Sequence, residues 1–166
     1  MICIEDDVTY YIGKGVKRGN GVKIWHFAYV GDNSEIGDNV SIGSLAHVDY
    51  RTVIGINTRI AGLAYIPPLS VVGKNVFIGP GAVLTNDRYP LSKRLEGVKI
   101  EDGAIIGAKS VIGSGCIVGK NSVVCMGSVV TKDVPPEVVV MGNPAKAVYN
   151  RSDYEKKKKI WETGLK

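Results

Sequence analysis

Few residues of this chain are suited to moving protons. Its two histidines, His26 and His47, are the candidate general bases, because imidazole is the side chain that titrates near neutral pH without perturbation. Both sit inside repetitive sequence, where a structural role competes with catalysis. The three cysteines, Cys3, Cys116 and Cys125, show no metal-ligand spacing and cannot all pair, so they read as free thiols and no metal is expected. The densest polar group is Asn86-Asp87 with Tyr89 beside it. An amide next to a carboxylate can bind sugar hydroxyls or an ammonium ion; the same pair also opens an Asx turn.

These residues hang on a repeat of period six. Every sixth residue from Ile12 to Leu84 is aliphatic except Arg18, and four places further on in each hexad stand small or β-branched residues, from Val16 and Val22 through Thr52 and Thr58 to Ala82. The two columns are two residues apart across the hexad boundary, so both point to one face of an extended segment, inward. Glycines after the aliphatic position, such as Gly31, Gly37 and Gly79, are read as the residues whose positive φ turns the corners. A strand and a corner per hexad give three sides to a coil of about 18 residues, so Ile24, Ile42, Ile60 and Ile78 stack at roughly 4.8 Å. The expected fold is an all-β parallel β-helix of hexapeptide repeats over residues 1–150.

The phase breaks after Leu84 and resumes at Ile100. Residues 85–99, polar and rich in turn formers, are read as a loop ejected from the prism, a favoured place for function and equally a place that tolerates variation. Pro135 and Pro136 are expected to end the ladder, and residues 151–166 to form a terminal helix with Ser152 as cap and Glu155 completing a capping box. At the other end Ile2, Ile4, Val8 and Tyr10 alternate as a strand over the first coil. Much of the net charge of +5 comes from Lys156 to Lys159, read as a solvated helix face or an anion contact rather than a nucleic-acid site. No apolar run reaches the roughly 20 residues of a membrane span, and the acidic N-terminus is unlike a signal peptide, so no membrane partner and a cytoplasmic location are expected.

The run from Phe77 to Pro90, above all Thr85-Asn86-Asp87-Arg88-Tyr89-Pro90 with Ser92-Lys93 after it, resembles the hexapeptide-repeat N-acetyltransferases that modify the 3-amino group of dTDP-linked 3-amino-3,6-dideoxyhexoses. Ile24-Trp25-His26-Phe27 and Gly142-Asn143-Pro144-Ala145-Lys146 are similar to that group and its UDP-amino-sugar relatives. The resemblance implies the left hand of the helix, a homotrimer with active sites between subunits, acetyl-CoA as co-substrate and a nucleotide sugar as acceptor. It assigns Asn86 and Asp87 to the amino sugar and Tyr89 to the pocket wall. Leu91 stands where a basic residue would suit a nucleotide phosphate.

For the pantetheine arm of acetyl-CoA, exposed amides and small side chains are expected at Ala108, Ser114 and Gly127, with Gly127 also the candidate oxyanion donor, and Lys132 and Lys146 as phosphate contacts. A sugar amine with a pKa near 8 is partly neutral at pH 7 and can attack the thioester without a side-chain base. Sugar O-acetylation, a zinc lyase and a non-enzymatic trimer are the competing readings. The first needs a strong base and the second needs three histidines.

Overall fold

The computed structural model describes residues 1–5 and 7–164 and is a left-handed parallel β-helix closed by a short helix, Arg151–Glu162. Asp6, the side chain of Ile4 and the last two residues of the expected tail lie outside the described residues. Two-residue strands stack into three faces. Face I runs from Val8–Ile12 through Tyr29–Val30, His47–Val48, Tyr65–Ile66, Val83–Leu84 and Val111–Ile112 to Val129–Val130. Face II runs from Lys17–Arg18 to Ile117–Val118, and face III from Lys23–Ile24 to Val123–Val124. Strand registers place Ile24 on Ile42, Ile42 on Ile60 and Ile60 on Ile78, as the period requires. The interior is aliphatic: Ile42, Ile60, Ile66, Ile78 and Ile106 have no exposed surface. Each such burial contributes about 1.5–3 kcal/mol.

Corners are made differently from the expectation. Positive φ falls two places after the glycines named above, at residues 15, 21, 27, 33, 39 and on through 127. Asn33, Asn39, Asn57, Asn75 and Asn121 occupy five of these sites, with Gly15, Gly21, Gly81 and Gly127 among the others. Asn tolerates this region because its short amide bonds locally, and Asn39, Asn57 and Asn75 hand one amide bond to the next along the II/III edge, each 3.3 Å long. The early glycines answer to sterics between coils. A Cβ on Gly79 would lie 2.6 Å from the Ala108 nitrogen.

Arg18, the exception in the aliphatic column, is exposed and closes the lower end by donating to the Tyr10 hydroxyl (3.1 Å) and the Val22 carbonyl (3.0 Å). The N-terminal strand Ile2–Glu5 extends face I as an antiparallel partner of Val8–Ile12, with Ile2 72% exposed rather than covering the core. The prolines do not end the ladder everywhere. Val138–Gly142 adds one more parallel rung to face III and then turns back as Ala145–Asn150. The helix start also corrects the expected cap: Asn150 is the N-cap and makes no side-chain cap bond. Glu155 instead accepts from Arg151 at 2.6 Å, and Arg151 reaches the carbonyls of Gly103 and Asn121, bolting the helix to the prism. The three cysteines are free. Among the described residues no helix is long and apolar enough to cross a membrane.

Candidate active site

The ejected loop leaves the I/II edge after Leu84 and rejoins it at Val98. Asp87 folds it. Its carboxylate accepts from the Tyr89 nitrogen (3.0 Å), the Ser92 nitrogen (3.0 Å) and the Ser92 hydroxyl (2.8 Å), so the Asx-turn reading of this residue is realised. Donation from the Ser92 amide, then from its hydroxyl and the Tyr89 amide, holds the Asp87 carboxyl below the usual carboxylate range. Asn86 differs. Its carbonyl accepts from Glu96 at 2.7 Å, while its half-buried side-chain amide has no hydrogen-bond partner among the described residues. Tyr89 projects, 78% exposed. Beneath the loop the Ser114 hydroxyl donates to the Glu96 carbonyl (3.0 Å), which ties the returning strand to the next coil.

The residues expected to hold acetyl-CoA are not gathered in one place. Ala108 and Gly127 stack on the III/I edge, whereas Ser114 and Lys132 lie on the I/II edge and Lys146 on the closing hairpin. Ser114 is 6% exposed and already bonded to the loop, so its hydroxyl serves the fold. The Gly127 N–H donates to the Ala108 carbonyl at 2.8 Å and cannot also serve an oxyanion. The N–H groups of Ala108 and Met126, one coil apart on the same edge, have no partner among the described residues, as is also true of His26, Ser44 and Gly62 at the same corner position of the earlier coils. Met126 is 79% exposed, and a Cβ at Gly127 would meet nothing within 4 Å, so this edge is open. Sequence reasoning missed Met126 because the free amide belongs to the second corner position, which only the bond pattern distinguishes.

His47 is a member of a ring stack. Tyr11 and Tyr29 centroids lie 4.7 Å apart, Tyr29 and His47 4.3 Å, His47 and Tyr65 5.5 Å, along the outer side of face I. Its Nε2 stands 3.6 Å from Asp49 Oδ2, which also accepts from the Tyr65 hydroxyl at 3.3 Å. His26 is exposed at the III/I edge of the first coil, against Phe27. Neither histidine lies at the height of the loop.

The edges differ in polarity. Along III/I, residues 25–28, 43–46, 61–64 and 79–82 include no Asp, Glu, Lys or Arg. Phe27, Leu45 and Leu63 all adopt positive φ there and are 68%, 54% and 59% exposed. The outward row of face I, Tyr11, Tyr29, His47, Tyr65, Val83, Val111 and Val129, is half-buried and carries no Asp, Glu, Lys or Arg. Face II instead presents Lys17, Glu35 and Lys99, and face III Lys23 and Arg59. Tyr50 and Leu69 stand out on the I/II edge, 40% and 43% exposed.

Comparison with known proteins gives the following. The family description "bacterial transferase hexapeptide (six repeats)" matches residues 19–49 and 97–132. A 2,3,4,5-tetrahydropyridine-2,6-dicarboxylate N-acetyltransferase from Staphylococcus carnosus (strain TM300) is 46% identical over 84 residues, which are 51% of this chain and 34% of that protein. The chain therefore spans about a third of the length of that curated relative. Among solved structures, WeeI from Acinetobacter baumannii AYE matches with a TM-score of 0.56 at 27% identity, covering 85% of this chain and 57% of its own. A hexapeptide-repeat-containing acetyltransferase from Vibrio cholerae matches with a TM-score of 0.52 at 25% identity, covering 83% and 74%.

Proposed function

We propose that this chain, whose repeats match the bacterial transferase hexapeptide description over residues 19–49 and 97–132, is an acetyl-CoA-dependent N-acetyltransferase acting in the cytoplasm on the amine of a nucleotide-linked 3-amino sugar. The observation that carries the reading is one of height. The loop bearing Asn86 rests on Ser114, and the free Ala108 amide lies one hexad earlier, so acceptor and donor groups flank the same strand, Val111–Ile112. In one chain they are separated by the width of face I, at most about 20 Å for an extended hexad.

A ring of three copies with face I inward sets the III/I edge of one copy beside the I/II edge of the next. Donor and acceptor groups then meet across each contact. The first four corners of the III/I edge, residues 25–28, 43–46, 61–64 and 79–82, support this arrangement: they carry no Asp, Glu, Lys or Arg and so add no like charge to a contact between copies of a chain with net charge +5, and homomeric interfaces are the more apolar kind. Lys109 is the first charge on that edge.

At such a site the amide side chain of Asn86 orients the sugar, and the Ala108 and Met126 N–H groups suit the carbonyls of a pantetheine arm or the oxygen of the reacting thioester. Acetyl-CoA supplies an activated acyl group. The neutral amine attacks the acetyl carbon, the C–N bond forms, the C–S bond breaks, and the departing thiolate takes the proton the amine gives up. Positioning supplies the rate. Asp87 shapes the loop and contacts the acceptor only through an oxygen it can spare. Lys132 and Lys146 are exposed and free for the nucleotide phosphates of acetyl-CoA.

The test is CoA release with acetyl-CoA and a panel of dTDP- and UDP-linked amino sugars, the free sugars, and the cyclic dicarboxylate in the name of the Staphylococcus relative. Acetylation of a nucleotide-linked amine is expected; turnover of the dicarboxylate alone refutes the sugar reading. Mixing Asn86→Ala with Ala108→Trp protein tests the shared site. Two inactive parents that recover about a quarter of wild-type activity on subunit exchange fit one intact contact in each mixed trimer, and no recovery refutes sharing.

A further inference from the structure

The loop encloses a second feature that the acetyl-transfer reading leaves unused. Between it and the coil beneath lies a cleft of about 290 Å³ lined by Arg88, Tyr89, Ser92, Arg94, Glu96 and Ser114. The cleft sets two guanidinium groups against a single carboxylate, Glu96, which leaves it net positive, and each guanidinium is under-used here. Arg88 donates one long bond, 3.3 Å, to the Ser114 carbonyl. Arg94 meets only Glu96, at 3.4 Å, with the two side chains 85% and 52% exposed. A pair so exposed contributes little, so a stronger anion can draw Arg94 away from it. A guanidinium has five donors in a planar fork matched to phosphate oxygens, and most of these ten are idle. The neighbouring carboxylate, Asp87, is engaged by Ser92 and Tyr89 and makes no hydrogen bond to either arginine. Leu91, where the sequence lacks a basic residue, is fully exposed at the tip and takes no part.

We propose that this cleft is the subsite for the diphosphate of the acceptor, gripped by Arg88 and Arg94, with Tyr89 as its outer wall. The assignment rests on the nucleotide-sugar reading for its ligand and on the paired arginines for its chemistry. A diphosphate anchored here lies on the loop that carries Asn86, so the anionic end of the acceptor is fixed while its sugar reaches the edge where the donor binds. Such remote binding lowers KM without taking part in bond making.

Calorimetry on the full chain with UDP, dTDP, inorganic pyrophosphate and CoA, comparing wild type with Arg94→Gln and Arg88→Gln, tests it. Circular dichroism confirms folding, and Arg94→Gln touches no backbone group, so it is the cleaner variant. Each substitution is expected to weaken all three diphosphates by about tenfold or more, the loss of a charge-assisted bond, and to leave CoA affinity unchanged. KM for a nucleotide-linked amine rises at constant kcat, and KM for the free amino sugar does not move. The proposal is overturned if wild type binds none of the three diphosphates, if neither variant weakens them, if CoA affinity falls in parallel, or if the cyclic dicarboxylate displaces UDP as strongly as pyrophosphate does. Arginine-dependent diphosphate binding by a chain that acetylates no amine would leave the subsite standing and sink the enzymatic reading instead.

Discussion

Replacing Phe27, Leu45 and Leu63 together by Asn separates the stability of the coil from the stability of the assembly. All three residues adopt positive φ at one edge of consecutive coils, where Asn39, Asn57 and Asn75 occupy the equivalent sites of the neighbouring edge. A bulky residue in that region costs about 1–3 kcal/mol, which Asn largely avoids. Against that gain stands the loss of the part of each side chain already buried. These offset, so the isolated coil is expected to unfold within a few degrees of wild type. The exposed parts are 68%, 54% and 59%. Taking about 1.5–3 kcal/mol for full burial of such a side chain, they are worth about 3–5 kcal/mol per contact when a second copy covers them. That is a weakening of about 10²- to 10⁴-fold. Sedimentation velocity over a concentration series reads the assembly, and thermal unfolding by circular dichroism reads the coil. A triple variant that stays trimeric at the wild-type midpoint concentration would refute the placement of the interface, and a monomeric wild type would refute the trimer itself.

Ile60→Ala, at a position with no exposed surface, should cost about 2–5 kcal/mol; chemical denaturation would show it as a lower midpoint at unchanged slope. His47→Phe keeps the ring stack and should keep turnover within about tenfold of wild type, whereas a loss of about 10³ would mark His47 as a general base and favour O-acetylation. The Asp87 carboxyl is held below its ordinary value by the Ser92 and Tyr89 donors, so its hold on the loop is complete above the unfolded value of about 3.9 and fades as pH falls through the lower folded value. The Ser92 amide resonance should report this as an acid transition that is absent in Asp87→Asn; an unchanged transition in the variant would contradict it.

Much of the prism was legible from residue types alone. A column of aliphatic residues every sixth place, with small ones two places before, leaves little choice but short strands stacked in coils, because no other arrangement buries both columns. The ejected loop was legible too, as a lost phase between Leu84 and Ile100. Corner chemistry was not. Asn and Gly at positive φ were visible, but so were Phe27, Leu45, Leu63 and Lys109 at the same sites, and residue type gives no warning that these adopt it.

By itself the sequence determined the strand period, the aliphatic interior and the place of the loop, and offered an Asx turn at Asp87 beside a sugar-binding role, since each follows from contacts within a few residues or from strict repetition. Tertiary structure decided which groups remain free. Gly127 and Ser114 have the right chemistry for a cofactor site, yet their N–H and hydroxyl are taken by Ala108 and Glu96 on adjacent coils. Ala108 and Met126 keep idle amides for the complementary reason. The division of donor and acceptor groups between two edges of face I is likewise invisible in one dimension: whether two residues share an edge depends on how the inserted loop shifts the register of everything after it.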